Sequence, residues 1–281
     1  MDKKATSYEI LSARIISAQS TLPKRLAEAA SYVLANADEI ALGTTASIAK
    51  AANVQPSTLV RLAHHLGYDG FSDLQSVFRE RLMARASTYE ERLARLESGT
   101  TADTFDGTVM HGFINAARES VDRLAAQVSD ADFARAVTVL ARARTIYLIA
   151  RRRSYPLTAH LSYGFGKLGI KTVMVSSTNG LDEEIVALAE PDDAAFICSF
   201  APYASDTVAL ANRIHRRKVP IVAITDSPLS PLAPISQVRL EIAENDYSGF
   251  RSISASMAIV AALPVAIAER RRHTQKKSTG L

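Results

Sequence analysis

Residues 44–71 read TTASIAKAANVQPSTLVRLAHHLGYDGF, and this stretch decides the fold of the first domain. Leu59, Leu62, Ala63 and Leu66 recur at i, i+3, i+4 and i+7, which places one buried stripe on a helix. Ser57, Thr58, Arg61, His64 and His65 lie off that stripe, where they can exchange hydrogen bonds with a partner. Upstream, Ile48, Ala49 and Ala52 give a short helix with a narrow apolar face. Asn53-Val54-Gln55 makes the turn between the two, and Pro56 stands where a first helical position tolerates a missing N–H. Two short helices crossing over small alanines, the second presenting Ser, Thr and Arg near its start, predict a helix-turn-helix suited to a major groove. The candidate contacts to double-stranded DNA are Gln55, Ser57, Thr58, Arg61, His64 and His65, with Lys50 from the preceding helix. A helical hairpin inside a core or interface has the same periodicity, and the spacing alone does not separate the two.

Outward from this segment the first domain reads as all-α. Leu26, Ala30, Val33 and Leu34 put an apolar stripe on a helix beginning near Pro23. Phe71, Leu74, Val77, Phe78 and Leu82 continue a helix after the turn Gly67-Tyr68-Asp69-Gly70. Residues 98–107, SGTTADTFDG, are rich in Gly, Ser, Thr and Asp without periodicity and predict a linker, followed by a connecting helix over Val109 to Gln127. The expected division is a helix-turn-helix domain over 1–85, a linker over 86–107 and a second domain over 108–281.

Beyond residue 130 the rhythm changes. Short apolar runs appear at Thr145–Ala150, Thr172–Ser176, Ala194–Cys198, Pro220–Ile224 and Gln237–Ile242, separated by segments of helical spacing such as Thr207 to Arg217. Alternating buried strands and helices predict an α/β doubly wound parallel sheet. Ligands of such sheets bind beyond the carboxyl ends of the strands, at a topological switch point. Arg151–Ser154, Ser176–Thr178, Ser199–Thr207 and Thr225–Ser227 follow the runs and are the places to look.

Composition limits the function classes. The chain has 281 residues, 47% apolar and 22% charged, the profile of an ordinary globular protein of two domains. One cysteine, Cys198, excludes an internal disulfide framework and fits a reducing, cytoplasmic compartment. It ends an apolar strand, as a small buried hydrophobe rather than a nucleophile. MDKKATSYEI carries no apolar core for a secretory signal, and Ile253 to Ala268, interrupted by Pro264, is too short to span a membrane and reads as a buried helix. His64 and His65 lack metal-ligand spacing to other His or Cys, so no metal or cofactor is expected. Net charge is +4, but residues 1–98 hold twelve Lys and Arg against eleven Asp and Glu. DNA affinity must then rest on local placement of Lys24, Arg25, Lys50 and Arg61, or on a second copy doubling a modest patch. The basic tail RRRHTQKKSTGL reads as solvated.

Ile48-Ala49, Pro56-Ser57-Thr58, Arg61 and Leu66-Gly67-Tyr68-Asp69-Gly70-Phe71, with Ser199-Phe200-Ala201-Pro202-Tyr203 and Ile224-Thr225-Asp226-Ser227 in the second half, resemble the RpiR/MurR family of bacterial transcriptional regulators. That family joins a helix-turn-helix to a SIS (sugar isomerase) domain. The resemblance implies a regulator of a sugar or related catabolic operon, reading a palindromic operator as a homodimer or homotetramer and sensing a phosphorylated sugar or related metabolite. Departures fall at the ligand loops. The Gly-x-Gly-x-Ser loop of SIS domains is Ala150-Arg151-Arg152-Arg153-Ser154 here, and Ser-x-Ser-Gly-x-Thr keeps Ser199 but carries Ala201, Pro202 and Ala204. Guanidinium forks can replace lost hydroxyl and backbone donors. An anionic metabolite held by Arg151, Arg152, Arg153, Ser154, Ser199, Ser205 and Thr207 is therefore expected. Two alternatives stay open: a sugar-phosphate isomerase, for which the loops offer Asp206, Asp226 and Glu244 but no His, and a SIS dimerisation module without a ligand.

Overall fold

The computed structural model of the chain describes residues 8–19, 21–86, 89–97 and 104–279. They form two compact units dividing between Ala94 and Arg95.

The first unit is helical: α1 (Tyr8–Ala18), α2 (Lys24–Ala35), α3 (Ala37–Leu42), α4 (Thr45–Ala51), α5 (Pro56–His65) and α6 (Phe71–Ala86), with α7 (Tyr89–Glu97) crossing into the second unit. Its core gathers Leu11, Ile15, Val33, Ile40, Ile48, Leu59, Leu62, Leu66, Leu74 and Phe78. The helix-turn-helix is set by its caps. Thr44 and Ser47 form a reciprocal capping box at the start of α4. Asn53 (φ 53°) ends α4 in the left-handed region, while its N–H and that of Val54 return to Lys50 O and Ala49 O. Gly67 (φ 88°) ends α5 the same way, with Gly67 N–H on His64 O and Tyr68 N–H on Ala63 O. Pro56 occupies the first turn of α5, as its sequence position predicts. Gln75, 2% exposed, donates to Ile40 O and Gly43 O at 2.9 Å each, and Arg79 Nε to Ala41 O at 3.1 Å. Side chains of α6 thus satisfy carbonyls left over at the end of α3.

The second unit opens with α8 (Phe105–Gln127) and α9 (Asp130–Arg142). Five parallel strands follow: β1 (Ile146–Ala150), β2 (Thr172–Met174), β3 (Ala194–Cys198), β4 (Ile221–Thr225) and β5 (Val238–Glu241). Their order is β2-β1-β3-β4-β5, so the winding reverses between β1 and β3. α10 (Tyr155–Lys167), α11 (Asp182–Ala187) and α12 (Ser205–Arg216) connect them. A two-stranded hairpin, β6 (Asp246–Tyr247) and β7 (Phe250–Arg251), precedes α13 (Ser254–Thr279). Ile146, Leu148, Phe196, Cys198, Val222, Ile224 and Leu240 face a layer of α9, α10 and α13, whereas Tyr147, Ile149, Ala195, Ile197, Ile221 and Ala223 face α11 and α12. Burial on both faces makes the strands read as continuous apolar runs. All five predicted runs are strands, and the hairpin was not anticipated.

The apolar face of α13 (Ala255, Ile259, Val260, Leu263, Ile267) closes this core. Pro264 lies against Gly164 of α10, where a Cβ would stand 3.1 Å from the ring. One expectation is corrected here. The basic tail is not wholly solvated, because Arg271 is partly buried and donates to Ala141 O (3.1 Å) and Ala143 O (2.6 Å). It caps the carboxyl end of α9, where a cation also meets the negative end of the helix dipole.

Candidate functional site

Two surfaces carry polar groups that the core does not consume. The first is the outer side of α5. Leu59, Leu62 and Ala63 are buried, so Gln55, Ser57, Arg61, His64 and His65 are exposed and Thr58 half-buried, with Lys50 exposed on α4. All seven predicted contacts lie on these two adjoining helices, Gln55 as the N-cap of α5. His64 Nε2 stands 3.1 Å from Asp69 O, so its ring is held against the turn that follows the helix.

The second surface lies at the carboxyl ends of β1 and β3, the switch point. Arg151 turns back into the domain, donating to Val175 O (2.5 Å) and Ala150 O (3.1 Å) and pairing with Asp182. Arg152, exposed, adopts φ 56°, a left-handed conformation at the position of the second glycine in the usual SIS loop. Arg153, also exposed, reaches from this turn to the loop after β3, donating to Ala201 O at 2.9 Å and lying over the Phe200 ring. Ser154 and Ser199 are buried, and Thr207 is buried in the first turn of α12 with its hydroxyl unpartnered among the described residues. Ser205 is exposed and bonds to Asp206.

Sequence reasoning named Asp226 as a candidate base and missed that it is the acceptor organising the loop after β3. Asp226 takes the Ala201 N–H (3.0 Å), the Tyr203 hydroxyl (3.0 Å) and Arg251 (3.0 Å), and the Ala201–Pro202 bond in that loop is cis. Burial, followed by the charge of Asp226, pushes the Tyr203 phenol well above its ordinary pKa. Burial alone is the largest influence on Cys198, whose thiol is also pushed far up, as suits a structural residue at the end of β3. Arg251 comes from the hairpin, and no periodicity flagged so short an element. Glu244 is spent at the start of α13, accepting from Ser256 N–H (2.7 Å) and Ala255 N–H (3.3 Å).

A cleft of about 790 Å³ opens at the opposite, amino ends of the strands. Two of its arginines are paired locally, Arg144 with Asp193 and Glu190 and Arg135 with Asp132 and Gln237 O, while Arg142 and Asp192 also line it. Ligands of such sheets bind at the opposite, carboxyl ends of the strands, so the switch point is the better candidate. Among the described residues no group of three or more His, Cys, Asp or Glu is placed to hold a metal ion, and no helix is long and apolar enough to cross a membrane.

Comparison with known proteins agrees with this division. Residues 10–85 match the helix-turn-helix domain of the rpiR family, and residues 139–268 match the SIS domain. Among solved structures, the chain is similar to the Vibrio vulnificus NanR protein complexed with ManNAc-6P, at 21% identity and a TM-score of 0.56, covering 96% of each chain. It is similar to the sugar isomerase domain of an RpiR transcription factor from Sphaerobacter thermophilus, at 25% identity and a TM-score of 0.54, over 60% of this chain and 97% of that one. A putative sugar-phosphate isomerase from Listeria monocytogenes shares the α/β fold, at 12% identity and a TM-score of 0.52, over 63% and 94% of the two chains. With an rpiR-type helix-turn-helix joined to a SIS domain, the chain belongs to the RpiR family of transcriptional regulators.

Proposed function

We propose that this chain is a DNA-binding regulator of a sugar or related catabolic operon, and that an anionic metabolite, a sugar phosphate or sugar acid, sets its operator affinity. The observation that carries this reading is the pairing of an exposed, polar recognition face on α5 with an arginine-rich switch point on the SIS domain. Arg152 and Arg153 face outward at that point, so they are the first candidates for the anion, with Ser154, Ser199, Ser205 and Thr207 around them and Arg151 holding the turn in place. A homodimer on a palindromic operator supplies the charge that one helical domain lacks. Exposed Met110, Ile114 and Val121 on α8 support self-association through the second unit. The compartment is cytoplasmic in this reading.

The isomerase alternative needs a free base at the strand ends. Of the three carboxylates the loops offer, Asp226 and Glu244 are occupied as acceptors and only exposed Asp206, bonded to Ser205, stays open to that role, which favours ligand sensing over turnover. Fluorescence anisotropy on the promoter of the adjacent operon tests the proposal, with and without sugar phosphates, sugar acids and neutral sugars. Anion-dependent binding is the expected outcome. Operator binding indifferent to every anion, or turnover of a sugar phosphate, would overturn it.

A further inference from the structure

Between β5 and α13 the chain leaves the sheet and runs along α8, touching it with alternate residues. Ala243 and Gln127 bond reciprocally, the Ala243 N–H to Gln127 Oε1 (3.3 Å) and Gln127 Nε2 to Ala243 O (3.4 Å). Asn245 N–H donates to the buried Ser120 Oγ at 2.8 Å, and Asn245 Nδ2 to Glu119. Tyr247 lies over Gly112 and meets Phe113 edge-on. Residues 243, 245 and 247 thus reach α8 at Gln127, Ser120 and Gly112, about two turns apart, as an extended segment with alternating side chains does. Glu244 serves the other side, accepting the Ala255 and Ser256 N–H groups at the start of α13, where a carboxylate suits the positive end of the helix dipole. The far end of the segment is tied to the switch point. Ser252 N–H closes the hairpin on Asn245 O at 2.9 Å, and Arg251 donates to Asp226 (3.0 Å) and Ala201 O (3.2 Å). Asp226 in turn accepts from the Ala201 N–H and the Tyr203 hydroxyl. The side chains of Arg251 and Asp226 are only 24% and 13% exposed, so solvent screens this pair less than a surface bridge.

We infer that residues 243–251 are a relay strap, which carries a rearrangement of the loop after β3 to α8. The Arg251–Asp226 pair is its buckle, and Tyr247 on Gly112 its anchor. The inference rests on the switch point being the effector site. When a ligand repositions Ala201 and Tyr203, Asp226 either follows them and pulls on Arg251 or lets Arg251 go. Either event changes how the strap lies on α8, which carries the exposed Met110, Ile114 and Val121. The occupied and empty states of the site then differ in the apolar face that α8 offers for self-association. Arg251 acts here as a positioning residue. A ligand shifts such an equilibrium only through differential contact with its two states, and the coupling runs equally in both directions.

The test reads amide hydrogen exchange of the full chain, alone and with inorganic phosphate, glucose 6-phosphate or gluconate. Without ligand, Arg251→Gln at the buckle should quicken exchange in α8 around Gly112 and Ser120. Tyr247→Ala at the anchor should quicken it in the loop around Ala201 and Tyr203, each by about fivefold or more, with β1 and β3 unchanged. Circular dichroism checks folding, and if Arg251→Gln does not fold, Asp226→Asn and Arg251→Lys take its place. In the parent protein an anion that binds should alter exchange in α8. Tyr247→Ala should still bind that anion but lose the response in α8, a split that loss of packing alone does not produce. Effects confined to the substituted end, or an anion that binds without altering α8, would overturn the strap and leave the anionic-effector reading standing. Binding of no anion in the panel would overturn that reading and the relay with it.

Discussion

The ring of Tyr247 lies directly over the Cα of Gly112, so a Cβ at position 112 would overlap the ring atoms. Phe113 meets the same ring edge-on, with centroids 5.8 Å apart. Gly112→Ala should gain about 1 kcal/mol of helix propensity yet destabilise the domain by about 1–3 kcal/mol through overpacking. Denaturant unfolding of Gly112→Ala, Tyr247→Ala and the double variant checks this. The double variant should recover most of the loss, as expected for residues in direct contact.

Gln75 ties α6 to the end of α3 through two buried acceptors. Gln75→Leu keeps the volume but leaves Ile40 O and Gly43 O without that donor, and should cost about 1–3 kcal/mol. A lowered urea midpoint at unchanged slope is the expected result.

Arg61 is exposed on α5 and faces away from the core. Arg61→Ala should leave circular dichroism unchanged and weaken operator binding by about 1–3 kcal/mol. Anisotropy titrations at two salt concentrations separate a base contact from a phosphate contact, since only the latter lowers the salt slope by about one.

Cys198 and Tyr203 both hold their protons in the folded state beyond their ordinary values of 9.0 and 10.0. The unfolded chain releases those protons first as pH rises. Their contribution is therefore complete below about pH 9 and declines above it, by up to about 1.4 kcal/mol per pH unit for each group. Unfolding free energies between pH 7 and 11 should show this slope, and Cys198→Ala and Tyr203→Phe should each flatten it. Ellman's reagent should label Cys198 only after unfolding.

Arg152 occupies a backbone conformation that favours glycine. Arg152→Gly should relieve up to about 1 kcal/mol of that strain, partly offset by greater freedom in the unfolded chain, and weaken anion binding. Thermal midpoint and anion affinity should then move in opposite directions, which a merely surface-exposed arginine would not produce.

Periodicity made most of the framework legible. Leu59, Leu62 and Leu66 announced α5, Pro56 its first turn, and the apolar runs all five strands, because burial of a stripe or of both sheet faces leaves a direct mark on residue order. The candidate site was legible only in part. Arg151, Arg152 and Arg153 stand where a strand ends, but sequence cannot say that the first turns inward to Asp182 while the third crosses to the neighbouring loop. Asp226 and Arg251 meet across 25 positions on a strand end and a two-residue strand. Such a contact depends on tertiary placement, with no repeat or spacing to betray it. Gln75 and Arg271 were illegible for the same reason, being polar residues whose acceptors are backbone carbonyls of distant helices.

The position of Arg271 bears on where this protein can be cut. The SIS match stops at residue 268, three residues short of the side chain that closes off α9. A fragment trimmed to that boundary would keep every strand and still expose the carbonyls of Ala141 and Ala143. Low solubility of such a fragment would reflect its missing final turns and carry no information about whether the domain folds by itself. Expression vectors for the second unit should therefore extend past Arg271, with any purification tag placed beyond it.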